Sequence, residues 1–444
     1  MDEKSKYLMT GNVVEIIKKK PTPEVSGQEY LLGFRGFLAI QCFIWTFLNL
    51  FAPNTVKDAV IINDGPGWQI ALRKSMSVLF WNGTLIYTFL IILSARTLPI
   101  PFFKAPSKTV VASAVFRRGM RLALPVAVTL AIITTAFATL GVDFVREFLT
   151  LTGNVATKTP YFISNTFIYC TSVFQLFWVT QVFDLQSGNF AFPSGTLWTI
   201  NLIYQQSYTV FMIMVIVPYT RAAWRVKMAI PFVATAWWVQ SWSWFTVSGL
   251  LLADAVMNMD FKAKAQRGIP IPYIKSFRVP SWIPAVLIMV AGLLMQYLWT
   301  AWNPSLLNAE VAVHSNGYNY ALAQDLNDDP NQPEARADNY LFVMGFLLLL
   351  ETFDILQNLF NNPVFVYLGK RSLSWFLTQS WIIYIVGIKL WMHLQSTGAS
   401  SDAANIACFF VTLLLTIIVS EVFHRVVDYP ADALTKRLFK WMCE

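Results

Sequence analysis

Apolar windows, most of them 18 or more residues long, recur from near residue 31 to near residue 424, and no other feature of the chain limits its fold as strongly. A helix that crosses a bilayer needs about 20 such residues, because hydrocarbon offers its backbone no outside hydrogen-bond partner. The runs lie near 31–52, 76–95, 119–141, 161–183, 192–217, 226–240, 242–258, 281–301, 339–360, 372–391 and 405–424, and no interval between them is long enough for a water-soluble domain. Only 13% of the 444 residues are charged, where soluble proteins carry about 25%. A soluble enzyme is therefore excluded. The chain reads as all-α: a polytopic integral membrane bundle, with one embedded domain over 31–432 between a polar tail, 1–30, and a basic tail, 433–444.

Charge sets the expected orientation. Arg96, Lys104, Lys108, Arg117 and Arg118 place the 96–118 connection in the cytoplasm, and Lys262, Lys264, Arg267, Lys275 and Arg278 do the same for 259–280. The 302–338 connection, with Glu310, Asp325, Asp328, Asp329, Glu334 and Asp338 against Arg336, suits the opposite side. Both chain ends then lie inside, so the number of crossings is even. Eleven apolar runs must yield about ten crossings, with the parity fault between 142 and 217. The surplus of 33 Lys+Arg over 25 Asp+Glu is the loop charge of a membrane protein and implies no nucleic acid.

Ionisable groups inside spanning segments are costly unless paired or facing a cavity, so each is a candidate for function. Arg35 lies in the first span, and Arg117, Arg118 and Arg121 open the third, with Arg117 and Arg121 one helical turn apart. They suit an anion or a polar headgroup. The carboxylates are Asp184, Asp254, Glu351, Asp354 and Glu421, with Asp428 just beyond the last span. Glu351 and Asp354, three apart on one expected helix, would face the same way and favour one retained proton, making a neutral acid. His314, His393 and His424 all lie outside or at the ends of apolar runs, so no buried histidine base is expected. Cys42, Cys170, Cys408 and Cys443 show no CxxC or paired loop spacing, so neither a disulfide framework nor a metal site is expected, nor is any cofactor.

Six short pieces occur in a telling order. They are Leu32-Gly33-Phe34-Arg35-Gly36, Leu93-Ser94-Ala95-Arg96, Phe116-Arg117-Arg118-Gly119-Met120-Arg121-Leu122, Leu197-Trp198-Thr199-Ile200, Tyr367-Leu368-Gly369-Lys370-Arg371-Ser372-Leu373-Ser374-Trp375 and Val427-Asp428-Tyr429-Pro430. In this order the chain resembles the fungal branch of the acyltransferase-3 superfamily of integral membrane enzymes. The resemblance implies acyl transfer, with Arg35, Arg117, Arg121, Trp198 and Gln379 toward the substrates. The sequence departs where that family carries proton-transfer groups: Thr46 and Gln379 stand at expected histidines, and Ile203 at an expected glutamate. A fold can outlive its chemistry.

The chain also looks like fungal membrane-bound terpene cyclases of meroterpenoid pathways. Such a reaction needs one neutral acid and a dry aromatic cavity, and no histidine base or acyl donor. Dense aromatics, 17 Trp, 16 Tyr and 35 Phe, suit that cavity equally well as a lipid-facing surface. The leading expectation is thus a terpene cyclase acting on a lipidic, prenylated small molecule among membrane lipids, with Glu351, Asp354, Asp184 or Asp254 as acid. The runner-up is a membrane O-acyltransferase of secondary metabolism, and the third reading is a non-catalytic transporter or partner subunit of the same fold. The endoplasmic reticulum is the expected compartment.

Overall fold

The computed structural model describes residues 28–56, 65–179, 186–271, 274–302 and 335–444, and nearly all of them are helical. The sheet among them is a small antiparallel pair, β1 (Ile269–Ile271) with β2 (Ile274–Val279), in which Ile269 faces Val279 and Pro270 faces Arg278. The polar tail through residue 27, most of the acidic connection, Asp184 and His314 lie outside the described residues.

The principal helices, numbered in chain order, are α1 (Glu29–Phe51), α2 (Gly83–Thr97), α3 (Lys108–Leu140), α4 (Trp198–Ile216), α5 (Ala222–Trp238), α6 (Ser243–Asn258), α7 (Trp282–Tyr297), α8 (Ala337–Thr352), α9 (Asp354–Phe360), α10 (Ser372–Ile382), α11 (Ser401–Phe423) and α12 (Tyr429–Cys443). Among the described residues seven helices are long and apolar enough to cross a membrane, and an eighth follows if the pair α8–α9, bent by 100°, is one broken span. Three of the eleven apolar runs fall short of that length. They become a helix of 13 residues (Thr166–Trp178), α5 of 17 and α6 of 16. At 1.5 Å per residue these reach about 20–26 Å, less than the roughly 30 Å of a bilayer core.

The structure also moves two boundaries. Helix α3 begins at Lys108, eleven residues before the apolar run does, so Arg117, Arg118 and Arg121 sit inside a 33-residue helix and do not open it. Arg96, expected in a connection, is fully buried near the end of α2.

The chain groups into two compact units, each assembled from three stretches: Met1–Phe34, Tyr87–Phe116 and Leu202–Val366 in one, and Arg35–Ile86, Arg117–Asn201 and Tyr367–Glu444 in the other. In the first unit α7 and α8 lie against each other with their backbones nearly touching. A Cβ on Gly292 would stand 2.6 Å from both the carbonyl oxygen of Asp338 and the amide nitrogen of Phe342, so only glycine lets the pair close. Gln296 Nε2 donates to Asn339 Oδ1 at 3.0 Å across that seam. Helices α5 and α6 form a hairpin, tied by Arg225 on one to Asp254 on the other. Phe102, Val210, Phe211, Met214 and Leu250 make an apolar core nearby.

The second unit is held by an aromatic ladder in which Phe47 stacks on Phe51 at 4.6 Å, Phe51 meets Phe148 at 5.3 Å and Phe148 meets Trp391 at 5.0 Å. The last carbonyls of α1 have no intrahelical donor. Asn154 supplies one, its Nδ2 donating to Asn49 and Leu50 oxygens at 3.0 and 2.9 Å. Helices α10 and α11 pack together, and the chain continues from α11 through a π-helical turn, His424–Asp428, into α12 without a break.

Candidate functional site

Three of the four carboxylates expected as acids, Glu351, Asp354 and Asp254, are held by cations. Glu351 is buried, with Arg96 Nε 3.0 Å and Arg96 Nη2 2.9 Å from its Oε1, while the Tyr30 hydroxyl donates to Oε2 at 2.6 Å. Among the described residues Nη1 of that guanidinium makes no hydrogen bond. Both oxygens of Glu351 are thus occupied, one by a guanidinium and the other by a phenol hydroxyl. Around this centre Phe34 contacts Phe89, Phe346 and Phe360 at 5.0, 5.1 and 4.9 Å.

The expectation that Asp354 shares a face with Glu351 is corrected. Helix α8 ends at Thr352, Phe353 is extended (φ −105°, ψ 122°), and Asp354 opens α9 across the bend. Its side chain is 66% exposed and pairs with Lys262, which also reaches Gln357 Oε1 at 3.2 Å. Gln357 Nε2 in turn covers the Leu350 carbonyl at 2.9 Å, close to the break. Asp254 is buried beneath Arg225, whose Nη1 lies 2.9 and 3.1 Å from its two oxygens, and Asn258 Nδ2 donates to Oδ1 at 2.6 Å. Asp184 lies outside the described residues.

The basic candidates of the second unit come together. Arg117 Nη2 and Arg121 Nε stand 3.3 and 3.6 Å from Asp432 Oδ1, and Lys436 Nζ stands 2.5 Å from Oδ2. Arg35 and Arg118 are both within electrostatic reach of Arg121. Three cations therefore converge on one carboxylate, with two more arginines close by. Mutual repulsion makes such a gathering costly unless an anion shares it.

Of the positions at which the sequence differs from the acyltransferase-3 pattern, Thr46 and Gln379 are buried and Ile203 is half-buried. In the second unit Gln379 Nε2 donates to Cys42 Sγ at 2.9 Å, its Oε1 is buried without a hydrogen-bond partner, and the Thr46 hydroxyl turns back to the Cys42 carbonyl at 2.8 Å. The backbone N–H of Trp198 donates to Asn189 Oδ1 at 3.1 Å, and its side chain is half-buried. In the first unit Ile203 borders a cavity of about 10 Å³, room for one water, with Ser94, Gln206, Ser207 and Thr246. None of these three exchanged positions supplies a proton-transfer group.

Sequence reasoning missed His424. The helix does not stop at residue 424, so the imidazole lies within one continuous helix rather than at its end. Its Nδ1 stands 2.9 Å from Asp428 Oδ2, and the buried Ser374 hydroxyl donates to the same oxygen at 3.2 Å. The signal was the spacing of four between His424 and Asp428, a helical turn. One turn before it, Glu421 is tied up by Arg371, by Arg425 Nε at 2.6 Å and by the Tyr367 hydroxyl at 2.7 Å. That last bond, followed by burial, pushes the Tyr367 phenol above its ordinary range. Comparison with protein-family models, with curated proteins and with solved structures returns no match to this chain.

Proposed function

We propose that the chain is a multi-pass membrane acyltransferase, moving an acyl group from a phosphate-bearing thioester to the hydroxyl of a lipidic small molecule. The observation that carries this reading is the convergence of Arg117, Arg121 and Lys436 on Asp432, with Arg35 and Arg118 beside them. Arginine forks suit phosphate oxygens, and a surplus of them fits a donor that carries several. In the reaction the acceptor oxygen bonds to the acyl carbon, the carbon–sulfur bond breaks, and the hydroxyl proton passes to the departing thiolate by way of a base.

In the same reading the eleven runs make ten crossings. The helix Thr166–Trp178 stays out of the count, and the two helices of the α5–α6 hairpin, tilted little or seated in a thinned bilayer, enter it. Residence in the endoplasmic reticulum suits a lipidic acceptor.

Terpene cyclisation is the second reading, favoured by the Tyr30–Glu351 hydrogen bond and the phenylalanines around Phe34. In that reading the acid is the Tyr30 hydroxyl, which donates to Glu351 Oε2. A phenol is a weak acid, suited to an epoxide oxygen more than to an alkene.

The test is an assay of the purified chain in proteoliposomes with a prenylated phenol or its epoxide, with and without acyl-CoA, read by mass spectrometry. Acyl transfer gives a heavier ester and free CoA only when the donor is present. A product of unchanged mass with new rings, formed without donor, would overturn it in favour of the cyclase.

A further inference from the structure

Resting on the acyl-transfer reading, we infer that His424, oriented by Asp428, is the general base that takes the acceptor's proton, replacing the histidines absent at Thr46 and Gln379. The geometry has the elements of such a base. Nδ1 stands 2.9 Å from Asp428 Oδ2, and in the proposed role it donates there, with the Nε2 lone pair as the basic site. Among the described residues Nε2 makes no hydrogen bond, and the side chain is 21% exposed, so an incoming hydroxyl can reach it. Ser374 does not compete as a nucleophile. It is fully buried, and its hydroxyl is spent on Asp428, not on the histidine. That bond instead helps to fix the carboxylate that fixes the ring.

Placement relative to the arginines supports the same role. His424, Asp428, Asp432 and Lys436 follow one another at intervals of four on one continuous helix, and Asp432 is the residue on which Arg117 and Arg121 converge. Eight residues separate the base from that anion site, about 12 Å along the axis at 1.5 Å per residue. A thioester whose phosphates lie a long flexible arm away from its reacting carbon spans such a gap. The π-helical turn runs from His424 to Asp428, and a π turn inside an α-helix often marks a functional position. The neighbouring charged groups have partners other than the imidazole: Arg371 and Arg425 bind Glu421, and Arg117, Arg121 and Lys436 bind Asp432. The hydroxyl proton moves to Nε2 as the acceptor oxygen attacks, and the imidazolium returns it to the departing thiolate, so the base is regenerated in each turnover.

The experiment uses the full-length chain in proteoliposomes, with acyl-CoA as donor and two acceptors, an unactivated lipidic alcohol and an acidic phenol. His424→Ala is expected to lower kcat with the alcohol about 10²- to 10⁴-fold, the usual span for a general base, with KM for acyl-CoA unchanged. Added imidazole restores part of that rate, and the acidic phenol, which needs less help to lose its proton, shows a much smaller loss. Asp428→Asn, which positions the ring without touching the acceptor, lowers kcat and also leaves the donor KM unchanged. Unchanged donor KM shows that both variants are folded. Wild-type transfer to the alcohol at a rate that His424→Ala leaves intact would overturn the base while the acyl-transfer reading stands. A loss that imidazole does not rescue and that falls equally on both acceptors would make His424 structural. Absence of transfer by the wild-type chain overturns the reading and the base together.

Discussion

Two buried carboxylates of this chain, Glu351 and Asp428, are satisfied to very different degrees. Glu351 has a guanidinium on one oxygen and a phenol on the other, and Arg96 beneath it is wholly enclosed. Asp428 holds a serine and an imidazole on a single oxygen, and among the described residues the other nitrogen of that imidazole makes no hydrogen bond. A closed pair has nothing left to offer a substrate, whereas an open one leaves a basic lone pair. Burial alone therefore misleads: the more deeply buried carboxylate is the less available for chemistry. Completeness of the network decides between scaffold and site.

The contrast is broken most forcefully at Arg96. Arg96→Ala leaves Glu351 buried without its cation, a change worth about 3–5 kcal/mol in destabilisation, to be measured as loss of folded, monodisperse protein on heating in detergent. Arg96→Met with Glu351→Leu is expected to recover most of that stability, because two apolar side chains of similar size need no partner. If Glu351→Gln keeps the melting temperature and abolishes product formation, Glu351 belongs to the chemistry and the contrast fails.

A second test asks whether the surroundings of Glu351 are as rigid as a scaffold should be. A Cβ on Gly33 would fall 1.7 Å from the carbonyl oxygen of Phe360, the last residue of α9, so the end of the broken helix is seated directly on α1. Gly33→Ala forces that backbone apart, at a cost of about 1–3 kcal/mol by analogy with overpacked cores. Thermal melting in detergent reads it, and an unchanged melt would show that the region yields freely.

On the other side of the comparison, Arg117→Ala and Arg121→Ala should each raise the KM for acyl-CoA about tenfold, equal to roughly 1.4 kcal/mol of binding, with kcat nearly kept. Donor titration at fixed acceptor measures it. A fall in kcat at constant KM would move these arginines from donor binding into the reacting centre.

Much of this was legible in the sequence, and what was not has definite causes. Among the described residues each helix long enough to cross a membrane falls on an apolar run, and Arg117 and Arg121, read as one helical face suited to an anion or a polar headgroup, both stand near Asp432. The break between α8 and α9 was not legible. Leu349-Leu350-Glu351-Thr352-Phe353-Asp354 contains no glycine or proline to mark it, and a single extended residue, Phe353, undoes the shared face of Glu351 and Asp354. Arg96 carried a signal in Leu93-Ser94-Ala95-Arg96, but a basic residue at the edge of an apolar run reads as loop until its partner, 255 positions away, is seen. His424 was set aside as a helix end. That boundary came from hydropathy, while the backbone continues as helix to Cys443.

Asp354 sharpens the comparison from its weak end, since it has the same chemical group as Glu351 and almost none of its burial. Its partner Lys262 is 39% exposed, and Asp354 itself 66%. Water screens such a pair, and holding two long side chains together costs entropy, so exposed ion pairs contribute between about 0 and 1 kcal/mol. Lys262→Ala should therefore change the melt by little, and still less at high salt, where even the residual attraction is screened. The Gln357 contact to the Leu350 carbonyl persists without the lysine, so the break itself remains covered. A drop as large as that for Arg96→Ala would mean that the surface bridge, and not the buried triad, fixes the 100° bend, and would remove Glu351 from its role as scaffold.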